Sequence, residues 1–267
     1  MTELMETAAG TPAGDLLRRY WQPIALETQL SEARPIRPLK VLSEGLILFR
    51  EAGGLVGLGQ ERCPHNGYPL MYGHIDGDSI ACVKHGWHFN HEGTCWVVGY
   101  QDKIYPVQWA NAKVYPVQSY AGLFWAYLGP LPAPPLPRYE ALERDGARRF
   151  TTYPYVNRSW LELVQSATPD PASLMPPTHT QGDRVWLRLP AADEHTWEVA
   201  VDFLPGEGSE HVQASARDEA ELSTKHPSVD LALREFLNRE IERVAEGLDP
   251  AGAERDPSYV LAKAGRG

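Results

Sequence analysis

The chain has 267 residues, 43% of them hydrophobic and 22% charged, the balance of a soluble globular protein long enough for one large domain or two ordinary ones. Its formal net charge of −10 repels nucleic acid and anionic membranes, so neither is an expected partner. No apolar run approaches the ~20 residues of a membrane helix, Met1 to Gly14 lacks the basic and apolar blocks of a signal peptide, and three cysteines argue against a disulfide framework. The expected location is therefore the cytoplasm, where cysteines near histidines suggest metal.

In chain order, the first predicted element is a short amphipathic helix over Gly10 to Leu26, with Leu16, Leu17, Tyr20 and Trp21 at helical spacing and Pro23 ending it. From Leu39 onward, short apolar runs alternate with glycine turns. Leu46–Phe49, Leu55–Leu58 and Gly122–Leu128 read as strands, and Asp76-Gly77-Asp78 as a turn. This is the pattern of a small all-β domain. No internal repeat is present.

Within that pattern the chain reads Cys63-Pro64-His65-Asn66-Gly67 and then Cys82-Val83-Lys84-His85-Gly86-Trp87. The spacing is Cys-x-His, sixteen residues, Cys-x-x-His. Thiolates and imidazoles are ligands that iron–sulfur centres and zinc both accept. Two loops of this kind can pinch one group between them, and a glycine after each histidine lets the backbone turn closely around it. On residue type and spacing alone, zinc and an iron–sulfur cluster both stay open. Cys95 reads as a small buried hydrophobe. His74, His88 and His91 read as surface residues or neighbours of the site rather than ligands.

A proline-rich stretch follows, with Pro130, Pro132, Pro134, Pro135 and Pro137. It suits a stiff extended linker and sets an expected domain boundary. Beyond it, Phe150–Val156 is a predicted strand and Trp160–Ser166 a predicted helix. Arg184–Leu189, Thr196–Phe203 and Glu210–Ala214 are predicted antiparallel strands. Leu231–Ala245 is a predicted amphipathic helix, with Leu233, Phe236, Leu237, Ile241 and Val244 at three-to-four spacing. The polar tail from Asp249 to Gly267 is expected to be loose.

Several stretches together resemble one family. They are Leu17-Arg18-Arg19-Tyr20-Trp21-Gln22-Pro23, the two Cys/His loops, Gly86-Trp87-His88-Phe89, Gly93-Thr94-Cys95 and Gly122-Leu123-Phe124-Trp125-Ala126-Tyr127-Leu128-Gly129. They resemble the large (α) subunits of Rieske non-heme iron oxygenases, of the phthalate-oxygenase-like and aromatic ring-hydroxylating kind, most densely over residues 10–140. The resemblance favours a [2Fe–2S] cluster over zinc. It implies that Cys63 and Cys82 bind one iron and His65 and His85 the other. Two neutral imidazoles in place of thiolates lift the potential towards about −150 mV or above, against about −400 mV for plant-type clusters. The implied fold is α+β: an all-β Rieske domain at 1–130, a linker at 131–137, and a shortened oxygenase-type domain at 138–267. That last domain would hold a helix-grip-like antiparallel sheet and a long C-terminal helix.

The resemblance also implies dioxygen-dependent hydroxylation or demethylation of a small organic, aromatic substrate. Electrons would come from an NAD(P)H-dependent reductase or a ferredoxin, and the subunits would form a trimer-like ring of one or two chain types. In the family a mononuclear Fe(II) sits in a two-His, one-carboxylate triad, with Asp-x-x-His, four residues, His after the first helix. Here Ser159-Trp160-Leu161 matches the helix start and Asp170 the aspartate that bridges to the neighbouring cluster. Ser173 stands where the first histidine belongs. His179 matches the second, one residue late and beyond Pro176-Pro177, and Asp230, five residues before Glu235, matches the distal carboxylate. A hydroxyl is a poor Fe(II) ligand, so the triad is incomplete. His195 and His211 are the next candidates should the match at 170–179 fail. Two further readings follow: a non-catalytic, electron-carrying or structural subunit that serves a catalytic partner chain, and a stand-alone ferredoxin. The latter has no use for the residues beyond the linker.

Overall fold

In a computed structural model of the chain, residues 4–165, 178–181, 184–214 and 231–251 are described. They form an α+β protein of two compact units. The smaller unit comprises Ile24–Val41 and Gly45–Ala126, and the larger one Met1–Pro23, Leu42–Glu44 and Tyr127–Gly267.

Helix α1 runs only from Pro12 to Arg18. Thr11 caps it by accepting from the Gly14 N–H at 3.2 Å, and Pro12 sits where a missing N–H costs nothing. The helical spacing of Leu16, Leu17, Tyr20 and Trp21 predicts a helix as far as Leu26. Instead, Trp21–Leu26 is strand β1, buried at every position. Pro23 has no N–H to give a helix, and the residue before a proline prefers extended backbone. A segment buried on both faces also has no polar stripe to offer solvent.

The smaller unit is built of short β-ribbons. Strands β2 (Ile36–Val41), β3 (Glu44–Arg50) and β4 (Val56–Gln60) make one ladder. A five-stranded meander follows from β5 (His74–Ile75), β6 (Ile80–Ala81), β7 (Trp87–Phe89), β8 (Cys95–Val98) and β9 (Ile104–Pro106). β10 (Val114–Tyr115) returns to the free side of β4, and β11 (Val117–Tyr120) and β12 (Leu123–Tyr127) join β1 in the order β1–β12–β11. Ile47, Phe49, Leu70, Ile80, Phe89 and all three cysteines share one buried cluster. That cluster fixes the loops that carry Cys63 and Cys82.

The larger unit holds β13 (Ala147–Val156), α2 (Trp160–Gln165), β14 (Thr178–Gln181), β15 (Arg184–Ala192), β16 (His195–Leu204), β17 (Ser209–Gln213) and α3 (Leu231–Ala245). Its sheet order is β14–β15–β16–β13–β17. The start of α2 is a capping box: Ser159 N–H donates to Glu162 Oε2 at 2.9 Å and Glu162 N–H donates to Ser159 Oγ at 3.3 Å. α3 buries Leu233, Phe236, Leu237 and the Glu240 carboxylate. Two expectations needed correction. β17 pairs parallel to β13, with Phe150 opposite His211, because the chain after β16 crosses to the far side of β13 rather than turning back beside β16. And β14 is a strand where none was foreseen, since Thr178–Gln181 lacks an apolar alternation. Among the described residues no helix is long and apolar enough to cross a membrane.

Candidate metal centre

The two Cys/His loops are close copies of one another in backbone. The Cys63 N–H donates to the Tyr68 carbonyl at 2.9 Å, and the Gly67 N–H donates to the Cys63 carbonyl at 2.8 Å. Nineteen residues on, the Cys82 N–H donates to the Trp87 carbonyl and the Gly86 N–H to the Cys82 carbonyl, both at 2.8 Å. Gly67 and Gly86 take the same left-handed backbone, φ 67° and 64°, which a side chain would strain. Each loop therefore needs its glycine at the fourth position after the cysteine.

These loops bring like side chains together. The Cys63 and Cys82 thiols are buried and lie against each other. Burial pushes the Cys63 thiol up and the neighbouring Cys82 adds to this, while the N–H groups of His65 and Asn66 donate to its sulfur and act the other way. The rings of His65 and His85 lie 4.7 Å apart between centroids, crossed at 63°. His85 is exposed, whereas His65 is half-buried and its Nδ1 is buried with no hydrogen-bond partner. An orphaned buried polar atom of this kind costs about 1–3 kcal/mol. A metal bound at Nδ1 would supply the missing partner. Among the described residues no three or more His, Cys, Asp or Glu side chains converge on a single ion. The Cys63–Cys82 thiol pair and the His65–His85 imidazole pair suit a binuclear group, two donors to each iron. The donor set thus fits a [2Fe–2S] cluster.

The surroundings agree with that fit. His65 stacks on Trp87 at 4.1 Å and 10°, and Trp87 meets Trp109 edge-on at 5.4 Å. Trp87 stands in the second loop's motif, but Trp109 lies 22 residues further on and nothing in the sequence pointed to it. Cys95 is buried as expected, and burial raises its thiol to about 11. His74 is exposed. His91 N–H and Nδ1 both meet Glu51 Oε1, at 2.7 and 2.9 Å. His88 is buried, stacked on Trp96 and bonded through Nδ1 to Ser79 Oγ at 3.0 Å. Ser79 gives its own hydrogen to the Asp76 carbonyl at 2.7 Å, so His88 Nδ1 is the donor.

Of the residues matched to a second iron site, Asp170, Ser173 and Asp230 lie outside the described residues, with Pro176 and Pro177. The backbone of His179 sits in β14, in register with Trp186 of β15. His195 is exposed at the start of β16, and His211 on β17 bonds Thr152 Oγ1 through Nε2 at 2.9 Å. The sheet also carries cross-strand ion pairs in direct register: Arg188–Glu198 and Arg184–Asp202, each at 2.7 Å, and Arg149–Glu210.

Comparison with known proteins matches residues 20–120 to the Rieske [2Fe-2S] domain. The chain is 35% identical, over 164 residues, to the 5,5'-dehydrodivanillate O-demethylase oxygenase subunit of a Sphingobium species, covering 60% of this chain and 38% of that protein. It is 42% identical over 147 residues to the phenoxybenzoate dioxygenase subunit alpha of Ectopseudomonas oleovorans, covering 53% and 34%. The chain thus spans less than two-fifths of the length of these relatives. Among solved structures, the Pseudomonas putida CBB5 NdmA QL mutant with caffeine shares the fold with a TM-score of 0.63 at 15% identity, over 90% of this chain and 98% of that one.

Proposed function

Because this chain carries a Rieske [2Fe–2S] domain and is a homologue of Rieske oxygenase subunits, we propose that it takes up electrons for the dioxygen-dependent hydroxylation or demethylation of a small aromatic molecule. The observation that carries this reading is the paired convergence of buried Cys63 with Cys82 and of His65 with His85, with His65 Nδ1 left without a partner. When bound, a [2Fe–2S] cluster supplies one-electron transfer at a potential raised by its imidazole ligands.

The residues divide that task. Cys63 and Cys82 hold the inner side, in a pocket that keeps water from the sulfurs. The N–H groups of His65 and Asn66 donate to the Cys63 sulfur and stabilise its thiolate. Trp87 holds the His65 ring by stacking, and His85 faces outward. Asp170 is proposed to accept from the imidazole of a neighbouring subunit and so bridge the two sites. His179 and Asp230 are proposed donors to a mononuclear iron, with another side chain or water in place of the histidine that Ser173 lacks. The electron donor is an NAD(P)H-dependent reductase or a ferredoxin, and the site of action is the cytoplasm. A trimer-like ring of subunits accords with the exposed apolar residues Val98, Tyr100, Ile104 and Tyr105, which assembly would cover. We divide the chain into a Rieske domain at 1–130, a linker at 131–137 and a shortened oxygenase-type domain at 138–267.

Ser173 favours a second reading, in which the chain carries electrons for a catalytic partner chain. Iron and acid-labile sulfide per chain, measured after supplying Fe(II), separate the two. Three irons and two sulfides support the oxygenase, two and two the carrier.

A further inference from the structure

Trp109 is 74% exposed, although burying an indole is among the more favourable things a fold can do with it. It is not isolated. Its ring meets the edge of Trp87 at 5.4 Å and 69°, and the Trp87 ring lies flat on His65 at 4.1 Å and 10°. Three rings in contact therefore run from open solvent to the half-buried imidazole. His85 differs, because its own ring is exposed and reaches solvent with no intermediary. Within one candidate centre, the two histidines present themselves to the outside in different ways.

We propose that the Trp109–Trp87–His65 stack is the route by which electrons from an external one-electron donor reach the centre, leaving His85 for onward transfer. This rests on the reading of Cys63, His65, Cys82 and His85 as cluster ligands. The step moves one electron from donor to cluster. No bond forms or breaks, and both indoles stay closed-shell, acting as a contact path rather than as redox carriers. A donor then has to reach only Trp109, the outermost ring. Replacing Trp109 by an aliphatic residue opens a solvent gap in the path without touching any proposed ligand.

The test uses the cluster-loaded protein with a ruthenium polypyridyl photoreductant attached to a cysteine placed at Gln108→Cys or, separately, at Lys84→Cys, both exposed positions. Flash excitation delivers one electron, and bleaching of the cluster absorbance reads its arrival. Trp109→Leu is expected to slow arrival severalfold from position 108 and to leave arrival from position 84 unchanged. Trp109→Phe should keep most of the rate. The EPR g-values and midpoint potential should not move. An unchanged rate from position 108 would overturn the proposal. So would equal slowing from both positions, or an altered EPR spectrum in Trp109→Leu, since either means that Trp109 merely supports the fold. Absence of any Rieske-type signal in the wild type would instead sink the ligand reading on which the route depends.

Discussion

At the scale of single residues, the features that matter are buried titratable groups that burial holds in their neutral forms. Burial holds the Cys95 thiol up at about 11, so it is a thiol, not a thiolate, at any ordinary pH. Native protein at pH 8 should therefore leave Cys95 unmodified by iodoacetamide, with modification appearing only after unfolding; peptide mass mapping reads this directly. His88 has its pKa lowered below 6.5, first by burial, with the His74 charge acting in the same direction and Asp76 opposing. Below about pH 6.5 the unfolded chain binds a proton here that the folded one declines, so stability falls as pH drops through that range and is fully present above it. His88→Gln should flatten this slope in urea unfolding between pH 7 and 5.5. An unaltered slope would mean that other groups set it. The four proposed donors stand out in the sequence because cysteine and histidine recur in two short glycine-closed loops, while the choice of a [2Fe–2S] cluster over zinc rests on the family resemblance. Trp109 does not stand out, since its role depends on a ring contact across 22 residues of chain that no local pattern encodes.

At the scale of elements, the sheet of the larger unit carries its charges as cross-strand pairs of very different exposure. The Arg188 and Glu198 side chains are 2% and 0% exposed, whereas those of Arg149 and Glu210 are 45% and 51% exposed. Removing one partner of a buried pair strands the other charge and costs about 3–5 kcal/mol, while an exposed pair is worth about 0–1 kcal/mol. Glu198→Ala should thus lower stability strongly in chemical denaturation, and Glu210→Ala hardly at all. Replacing both buried partners at once, Arg188→Met with Glu198→Leu, should recover most of the loss. β15, β16 and α3 were legible because their apolar residues recur at strand or helix period over nine or more positions. The start of α2 was legible through Ser159 and Glu162. The short helix α1 was overextended because Tyr20 and Trp21 fit a helical stripe as well as they fit the buried strand β1, and only the pairing with β12 decides between them. The parallel placement of β17 is a matter of topology, which a five-residue strand does not announce.

At the scale of the whole molecule, the smaller unit carries the proposed cluster donors, and the sequence of the larger one matches the family's iron triad with Ser173 in place of its first histidine. The two proposed protein donors, His179 and Asp230, would hold a labile divalent ion more weakly than three donors do. The wild-type chain alone is expected to lose mononuclear iron on dialysis against a chelator while keeping two irons and two sulfides, and to show no substrate-coupled oxygen uptake in that state. Ser173→His should raise retained iron. A third iron held tightly by the wild type would place the missing ligand elsewhere, with His195 and His211 the first to replace. The α+β class was legible from the strand-and-turn pattern and the amphipathic C-terminal helix, and the Rieske domain from the family resemblance of its motif stretches. The proposed second site rests on spacing across Pro176 and Pro177 rather than on a closed loop, and its residues Asp170, Ser173 and Asp230 lie outside the described ones. The most direct measurement is the EPR spectrum of the purified, reduced protein. A rhombic Rieske-type signal, lost in Cys63→Ala and His65→Ala, is the expected result. A colourless, EPR-silent protein holding stoichiometric zinc would contradict the assignment of these four residues to a [2Fe–2S] cluster.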